Sequence, residues 1–324
     1  MADLPLTAAF AAYDRTNPLR TGDVRPEGVD LRVLTYSTTE IFYRMVRYRE
    51  FDASEMSMAA HTYLTGTGEN PFVGIPAFPS RAFRHNTVYL NAEAGIEKPQ
   101  DLNGKRIGVY QWGITALVWI VGVLAEEHGL DIASVDWVAE TESRVPLRMP
   151  GGARLRHTEK GETVEDMLER GELDAAFLLH IPECFARTPA SVTRLFPDYK
   201  NTELEYFRRT GIHPMMHCVV LQKNIYERNP WVLHSLYKAL CDARRLALED
   251  IGETGHLSAI LPTLPAAVEE ARRIFGDDLW PYGMEGNRKA LEKFLQYAHL
   301  QGLTSRILAV EDIFGESVQD ESFI

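Results

Sequence analysis

The sequence is poor in cysteine, carries fewer cationic than anionic residues, and contains no long apolar run. Three cysteines among 324 residues, with no paired spacing, argue against a disulfide framework and favour a reducing compartment. Lys and Arg number 34 against 46 Asp and Glu, a formal net charge of -12, which argues against a nucleic-acid partner because phosphate binding needs clustered cations. No stretch reaches the roughly 18 apolar residues of a membrane span. We therefore expect a small-molecule partner and neither nucleic acid nor membrane, and the sequence leaves a homo-oligomer open.

Export and nucleotide-binding signals are also missing. Residues 1–13 contain a short apolar run without the preceding Lys or Arg that a signal peptide requires, which predicts a cytoplasmic protein. Neither a G-x-S-x-G, a P-loop nor a G-x-G-x-x-G occurs, so a hydrolase, a nucleoside triphosphatase and a dinucleotide-binding enzyme lack their signatures.

What the chain does contain is an alternation of short β-like runs with amphipathic helical stretches, typical of an α/β fold with parallel strands. Its 324 residues exceed the usual size of one compact domain. Apolar periodicity and Gly, Asn and Pro breaks predict a helix over Thr115–His128, mainly helical structure after Pro230, and strands over Leu31–Tyr36, Phe51–Ser57, Pro71–Phe78 and Met215–Gln222.

Two sets of motifs resemble known families. The run from Asp101 to Val109 resembles the D-L-x-G-K-x-I-G-V segment that opens the second lobe of type II solute-binding proteins, and Glu169 to Ala176 is similar to their helix-turn-strand step. More narrowly, Pro76 to His85 followed by Thr115 to Trp119 resembles the 4,5-dihydroxyphthalate decarboxylase family, over about Leu6 to Pro281. That family commonly continues with Ile-Arg-Gly after the Trp, and this chain has Ile-Val-Gly.

The resemblance implies an α/β fold of the two-lobed type II periplasmic-binding-protein-like kind with a central ligand cleft. Lobe 1 would comprise residues 1–86 and 215–324, with C-terminal helices, and lobe 2 residues 87–214. The implied activity is that of a carboxy-lyase of aromatic catabolism, which converts 4,5-dihydroxyphthalate to 3,4-dihydroxybenzoate and carbon dioxide. Two alternatives stay open: a solute-binding protein for a small organic anion without catalysis, and another cleft enzyme of the superfamily, for example in cofactor precursor synthesis.

In such a fold the ligand lies at strand ends and helix starts, where free N–H groups attract carboxylates. The strand-to-helix junctions 36–40 and 110–116 fit this description, which makes Tyr36, Trp112 and Thr115 candidate substrate contacts. Ordinary capping by Thr38 or Thr115 is the alternative.

A second group of candidates comes from charge and from strand geometry. A guanidinium matches a carboxylate bidentately, so Arg84 is predicted to anchor the carboxylate that the substrate retains, with Arg81 nearby. Glu55 and Ser57 share one face at the end of a predicted strand, and Glu55 is predicted to assist catalysis.

Histidine supplies the predicted proton chemistry. His85 or His180 is predicted to lie near the transferred proton, and His213 and His217 are predicted substrate contacts. Because Pro214 and the apolar run after it favour a strand, His213 and His217 would stand roughly 13 Å apart, too far to share a metal ion. A phenolate para to the leaving carboxylate can supply the electrons, so neither a metal nor a cofactor is predicted.

Overall fold

The computed structural model describes residues 2–143, 145–187 and 191–318. The strands of this part of the chain are β1 Leu4–Phe10, β2 Val29–Thr35, β3 Ala53–Ser57, β4 Phe72–Arg81, β5 Val88–Asn91, β6 Arg106–Gln111, β7 Asp136–Thr141, β8 Arg154–His157, β9 Ala175–Phe177, β10 Val192–Arg194 and β11 Met215–Gln222. The α-helices are α1 Asn17–Thr21, α2 Thr38–Tyr48, α3 Met58–Thr67, α4 Thr115–His128, α5 Val164–Glu169, α6 Glu183–Arg187, α7 Tyr199–Thr210, α8 Lys223–Arg228, α9 Trp231–Ile251, α10 Leu264–Phe275 and α11 Arg288–Leu300.

These elements form two compact α/β units. The first contains residues 2–81, 215–291 and 309–318 of the described chain, and the second residues 82–143, 145–187, 191–214 and 292–308. Compared with the expected lobes, residues 82–86 and 292–308 thus lie in the second unit instead of the first. The predicted central cleft stays a prediction.

The first unit is built on a five-stranded sheet in the order β2-β1-β3-β11-β4. β1 pairs parallel with both β2 and β3, whereas β11 pairs antiparallel with β3 and β4. β1, β3 and β4 therefore end at the same edge, and β11 begins there. Its core includes Ile41, Met56, Ile75 and Phe78, all fully buried.

The second unit carries a six-stranded sheet in the order β10-β5-β9-β6-β7-β8. β6 pairs parallel with β7 and β9, and β5 pairs antiparallel with β9 and β10. The expectation of parallel strands is thus corrected for β5, β10 and β11, because each of them runs against its neighbours.

Local sequence explains where two of the helices begin. Ser37 caps α2 by accepting the N–H of Glu40 at 3.3 Å, and Thr38 is the first helical residue. Ile114 precedes α4 and provides no side-chain cap, so Thr115 likewise lies inside the helix. The alternative of capping by Thr38 or Thr115 is therefore wrong. Among the residues that the structure describes, no helix is both long and apolar enough to cross a membrane.

Candidate functional site

The strand ends of the first unit bring together a hydrogen-bonded cluster of Tyr13, Glu55 and His217. Glu55 is the middle residue of β3, next to the residue that pairs with Ala9 near the end of β1, and Tyr13 follows β1 at that edge of the sheet. His217 lies near the start of β11, where it pairs with Ser57 of β3 on one side and with Ser80 of β4 on the other. Antiparallel insertion of β11 between β3 and β4 is what places the histidine beside the carboxylate.

Glu55 is a fully buried carboxylate whose oxygens are both occupied by donors. Oε1 accepts the backbone N–H of Ala11 at 2.5 Å, and Oε2 accepts the hydroxyl of Tyr13 at 3.1 Å. Nδ1 of His217 lies 2.8 Å from Oε2. Burial of a carboxylate is costly unless it is paired and hydrogen-bonded. The three donors therefore hold this carboxylate inside the protein.

The same contacts set the tautomer of His217. A carboxylate oxygen can only accept, so Nδ1 of His217 carries a hydrogen and donates it to Glu55. Nε2 is then the nitrogen that accepts a proton and can hand one on. The side chain is 16% exposed and its ring meets Phe42 edge-on, with the centroids 4.8 Å apart. The cluster can thus present an oriented imidazole for proton transfer.

Tyr13 completes the cluster as a neutral hydrogen-bond donor. Burial, and then the charge of Glu55, raise the pKa of Tyr13 well above its ordinary range. Its hydroxyl therefore keeps its proton and stabilises the Glu55 carboxylate.

The other predicted residues of the first unit have structural partners. Ser57 caps α3 by accepting the N–H of Ala60 at 3.4 Å. The ring of Tyr36 stacks on Phe51 at 5.9 Å and lies 4.3 Å from the Arg44 guanidinium. Their predicted contacts with substrate stay predictions.

Arg81 is buried at the end of β4, and its guanidinium serves the fold. Nη2 donates to the carbonyl of Pro281 at 2.6 Å and to Oδ1 of Asn287 at 2.5 Å. Burial lowers the pKa of Arg81 to about 9. The structure thus shows an arginine that fastens residues 281–287 to the sheet.

In the second unit, Arg84 and His85 lie next to a carboxylate that sequence reasoning missed. Glu203 on α7 accepts the N–H of Asn86 at 3.2 Å, and burial raises its pKa to about 7. Burial lowers the pKa of Arg84 to about 10. Glu203 therefore joins α7 to the loop that carries both predicted residues.

His85 itself lies in an aromatic niche. Its ring centroid is 5.3 Å from that of Phe196 and 5.5 Å from that of Tyr206, and the residue is 3% exposed. Burial, followed by repulsion from His128, lowers the pKa of His85 to about 4. The imidazole is therefore neutral near pH 7, and its predicted role in proton transfer stays a prediction.

The remaining predicted residues of the second unit are spread over several elements. Trp112 is 1% exposed and packs on Trp137 at 4.9 Å, so it presents no open ring face in this structure. His180 is exposed and lies 3.2 Å from Glu165. His213 stacks on Phe83 at 4.9 Å, and Thr115 is buried in the first turn of α4.

Metal ligation was not predicted from sequence. Within residues 2–143, 145–187 and 191–318, no group of three or more His, Cys, Asp or Glu side chains is arranged to hold an ion. The strand between the two histidines of residues 213–217 is confirmed as β11, which begins at Met215. Metal independence itself stays a prediction.

The chain resembles two curated proteins over much of its length. It is 36% identical over 320 residues to a protein of Comamonas testosteroni named 4,5-dihydroxyphthalate decarboxylase, which covers 97% of both chains. A protein of Pseudomonas putida with the same name is 36% identical over 214 residues, covering 64% of this chain and 83% of its own. A family model described as NMT1/THI5 like matches residues 26–147.

Solved structures of low sequence identity share the fold. The periplasmic aliphatic sulphonate binding protein SsuA from Escherichia coli matches with a TM-score of 0.55 at 10% identity, over 97% of this chain and 93% of that one. A putative sulfonate-binding SsuA from Methylobacillus flagellatus matches with a TM-score of 0.56 at 12% identity, over 98% and 93%. These similarities show a periplasmic-binding-protein-like fold.

Proposed function

We propose that this chain, which belongs to the 4,5-dihydroxyphthalate decarboxylase family, removes one carboxylate of 4,5-dihydroxyphthalate without oxidation. The observation that carries the proposal is 36% identity to a relative of that name over 97% of both chains. The products are 3,4-dihydroxybenzoate and carbon dioxide. We further propose that this carboxy-lyase acts in the cytoplasm.

The reaction exchanges a carbon–carbon bond for a carbon–hydrogen bond. A hydroxyl para to the leaving carboxylate pushes electrons into the ring as a phenolate, and the ring carbon takes up a proton. The carbon–carboxylate bond then breaks, its electron pair restores the aromatic ring, and carbon dioxide leaves. The protein must therefore deliver one proton to a defined carbon, since the electrons stay within the substrate.

We assign proton delivery to His217 and its orientation to Glu55. Support comes from the 2.8 Å contact between Nδ1 and Oε2, which directs the second ring nitrogen away from the buried carboxylate. When Nε2 is protonated, the neighbouring Glu55 carboxylate stabilises the imidazolium that donates to carbon. This assignment replaces His85 and His180 as first candidates. Arg84 stays the sequence-based candidate for the retained carboxylate.

The test is product analysis in heavy water. With 4,5-dihydroxyphthalate, the protein is expected to release carbon dioxide and leave 3,4-dihydroxybenzoate with one deuterium on the carbon that lost its carboxylate. Phthalate, which has no hydroxyl to form a phenolate, should be inert, and EDTA should leave the rate unchanged. Tight binding of the dihydroxy compound with no product would instead favour a binding protein.

A further inference from the structure

Arg15 lies beside the Tyr13–Glu55–His217 cluster and was not among the residues that the sequence suggested. It belongs to a 3-10 turn, Asp14–Thr16, just after β1. Its Nε donates to the carbonyl of Pro79 on β4 at 2.6 Å. Since β3 and β11 separate β1 from β4 in the sheet, this bond carries the arginine across the edge where Glu55 and His217 lie.

Two aromatic rings hold the guanidinium in place. Its central carbon is 4.3 Å from the ring centroid of Tyr13 and 4.4 Å from that of Trp280. Stacking of this kind suits the flat, weakly hydrated guanidinium and reduces the freedom that ligand binding would otherwise remove. The Tyr13 ring is the same one whose hydroxyl donates to Glu55. Arg15 is thus held between two rings and stacks on Tyr13, one of the three residues of the cluster.

The hydrogen bonds of Arg15 leave one nitrogen of its guanidinium, Nη2, available to a ligand. Nε is used by Pro79, and Nη1 contacts Asp14 at 2.8 Å. Within the described part of the chain, Nη2 has no hydrogen-bond acceptor, and the side chain is 17% exposed. Neighbouring arginines of this unit are engaged elsewhere: Arg81 holds Asn287, and Arg44 pairs with Glu40 and Glu50. Because a dicarboxylate approaching Glu55 meets a negative charge, a cation at this position offsets the repulsion.

We propose that Arg15 binds the carboxylate that the substrate retains, so that the carbon losing its carboxylate faces His217. The identity of the ligand rests on the proposed function, whereas the preference for a carboxylate rests on Arg15 alone. Arg84 is the alternative candidate for binding the retained carboxylate. The two assignments predict different effects when either arginine is replaced.

The experiment compares two probes that differ by one carboxylate, 3,4-dihydroxybenzoate and catechol, by calorimetric titration. Arg15→Gln is expected to weaken binding of 3,4-dihydroxybenzoate ten-fold or more and that of catechol less than two-fold. In turnover, KM should rise by a similar factor with a smaller change in kcat. Arg15→Lys keeps the charge but loses the bidentate geometry of the guanidinium, so its affinity for 3,4-dihydroxybenzoate should lie between those of the wild type and Arg15→Gln. The control is Arg20→Gln, because Arg20 donates to Asn17 on the exposed surface and has no other hydrogen-bond acceptor among the described residues, so both affinities should stay unchanged.

The ratio of the two dissociation constants is independent of how much protein is folded, so partial unfolding of Arg15→Gln cannot imitate the result. Equal weakening of both probes, or an unchanged ratio with Arg84→Gln showing the loss instead, would overturn the proposal. If the wild-type chain releases no carbon dioxide yet shows the Arg15-dependent ratio, the decarboxylase function fails and the carboxylate site stands.

Discussion

At the scale of single residues, Glu55 shows how a buried charge can be kept for chemistry. An unpaired carboxylate in this position would cost several kcal/mol, and the bonds from Ala11, Tyr13 and His217 offset that cost. Apolar residues could fill the same space without the cost of burying a charge. The cluster therefore serves mainly to orient His217 and contributes little to stability. Such an arrangement is expected where a histidine transfers protons.

Replacing His217 should separate chemistry from folding. His217→Gln is expected to lower kcat by roughly 10² to 10⁴, the usual contribution of one acid–base group, while the thermal midpoint changes little because Gln still donates to Glu55. The matched control is His256→Gln, since His256 is an exposed histidine of the same unit. A variant with wild-type kcat would show that the proton comes from another group.

The sequence identified both Glu55 and His217 as site candidates, but it did not predict that they contact each other. They are separated by 162 positions and meet only because β11 inserts antiparallel next to β3. Tyr13 and Arg15 were missed for a simpler reason. The apolar run within residues 1–13 was considered only as an export signal. Had it been predicted as a strand, which the structure shows as β1 Leu4–Phe10, the polar residues after it would have been candidates at a strand end.

At the scale of elements, α4 was predictable and its partner was not. Thr115–His128 is confirmed as a helix because its apolar residues are continuous and Gly129 ends it in a left-handed conformation. α11 packs against it through Trp119, whose ring lies 5.5 Å from Phe294, and Gln301 donates to the carbonyl of Val118 at 2.8 Å. An amphipathic pattern tells which face of α11 is buried but not against which element, which is why residues 292–308 were assigned to the other lobe.

Gly122 tests this helix contact. A Cβ at this position would lie 2.2 Å from the ring of Tyr297, so Gly122→Ala is expected to destabilise the protein by about 1–3 kcal/mol despite the better helix propensity of Ala. Gly286→Ala, where the added carbon has no neighbour within 4 Å, should change the free energy of unfolding by less than about 0.5 kcal/mol. Denaturant titration of both variants provides the measurement. Equal stabilities would mean that the Tyr297 ring moves aside freely.

At the scale of the whole molecule, the family motifs predicted more than periodicity did. The two-lobed α/β fold implied by the motifs is confirmed by similar solved structures at 10–12% identity, whereas periodicity alone predicted only an alternation of strands and helices. The motifs at Asp101 to Val109 and Glu169 to Ala176 cover helix-to-strand steps, which are local, and so they identify the fold without stating which distant segments join a unit. Burial adds a further property that no local pattern contains, the pH dependence of stability. His85 is buried and Glu203 is half-buried, and their pKa values are moved in opposite directions, to about 4 and about 7.

These two groups should shape the stability profile between pH 4 and 7. Because the folded pKa of His85 lies below its ordinary 6.5, the unfolded chain binds the proton first and stability falls as pH drops from 6.5 to 4. The folded pKa of Glu203 lies above its ordinary 4.5, so the folded chain keeps a proton that the unfolded chain releases, and stability falls as pH rises from 4.5 to 7. The two slopes oppose each other over the shared window.

Glu203→Gln removes the pH dependence of stability that Glu203 contributes, while the side-chain oxygen of Gln can still accept the N–H of Asn86. We expect the variant to match the wild type at pH 4.5 and to exceed it by about 1–2 kcal/mol at pH 7.5, a value reduced for solvent screening of a partly accessible carboxyl. Urea titrations at the two pH values provide the measurement. Glu205→Gln is the control, because Glu205 is exposed on the same helix and its loss should shift stability by less than about 0.5 kcal/mol at either pH. If Glu203→Gln is less stable than the wild type at pH 7.5, attraction between Glu203 and Arg84 outweighs the burial of the carboxylate, and the direction argued here for Glu203 is wrong.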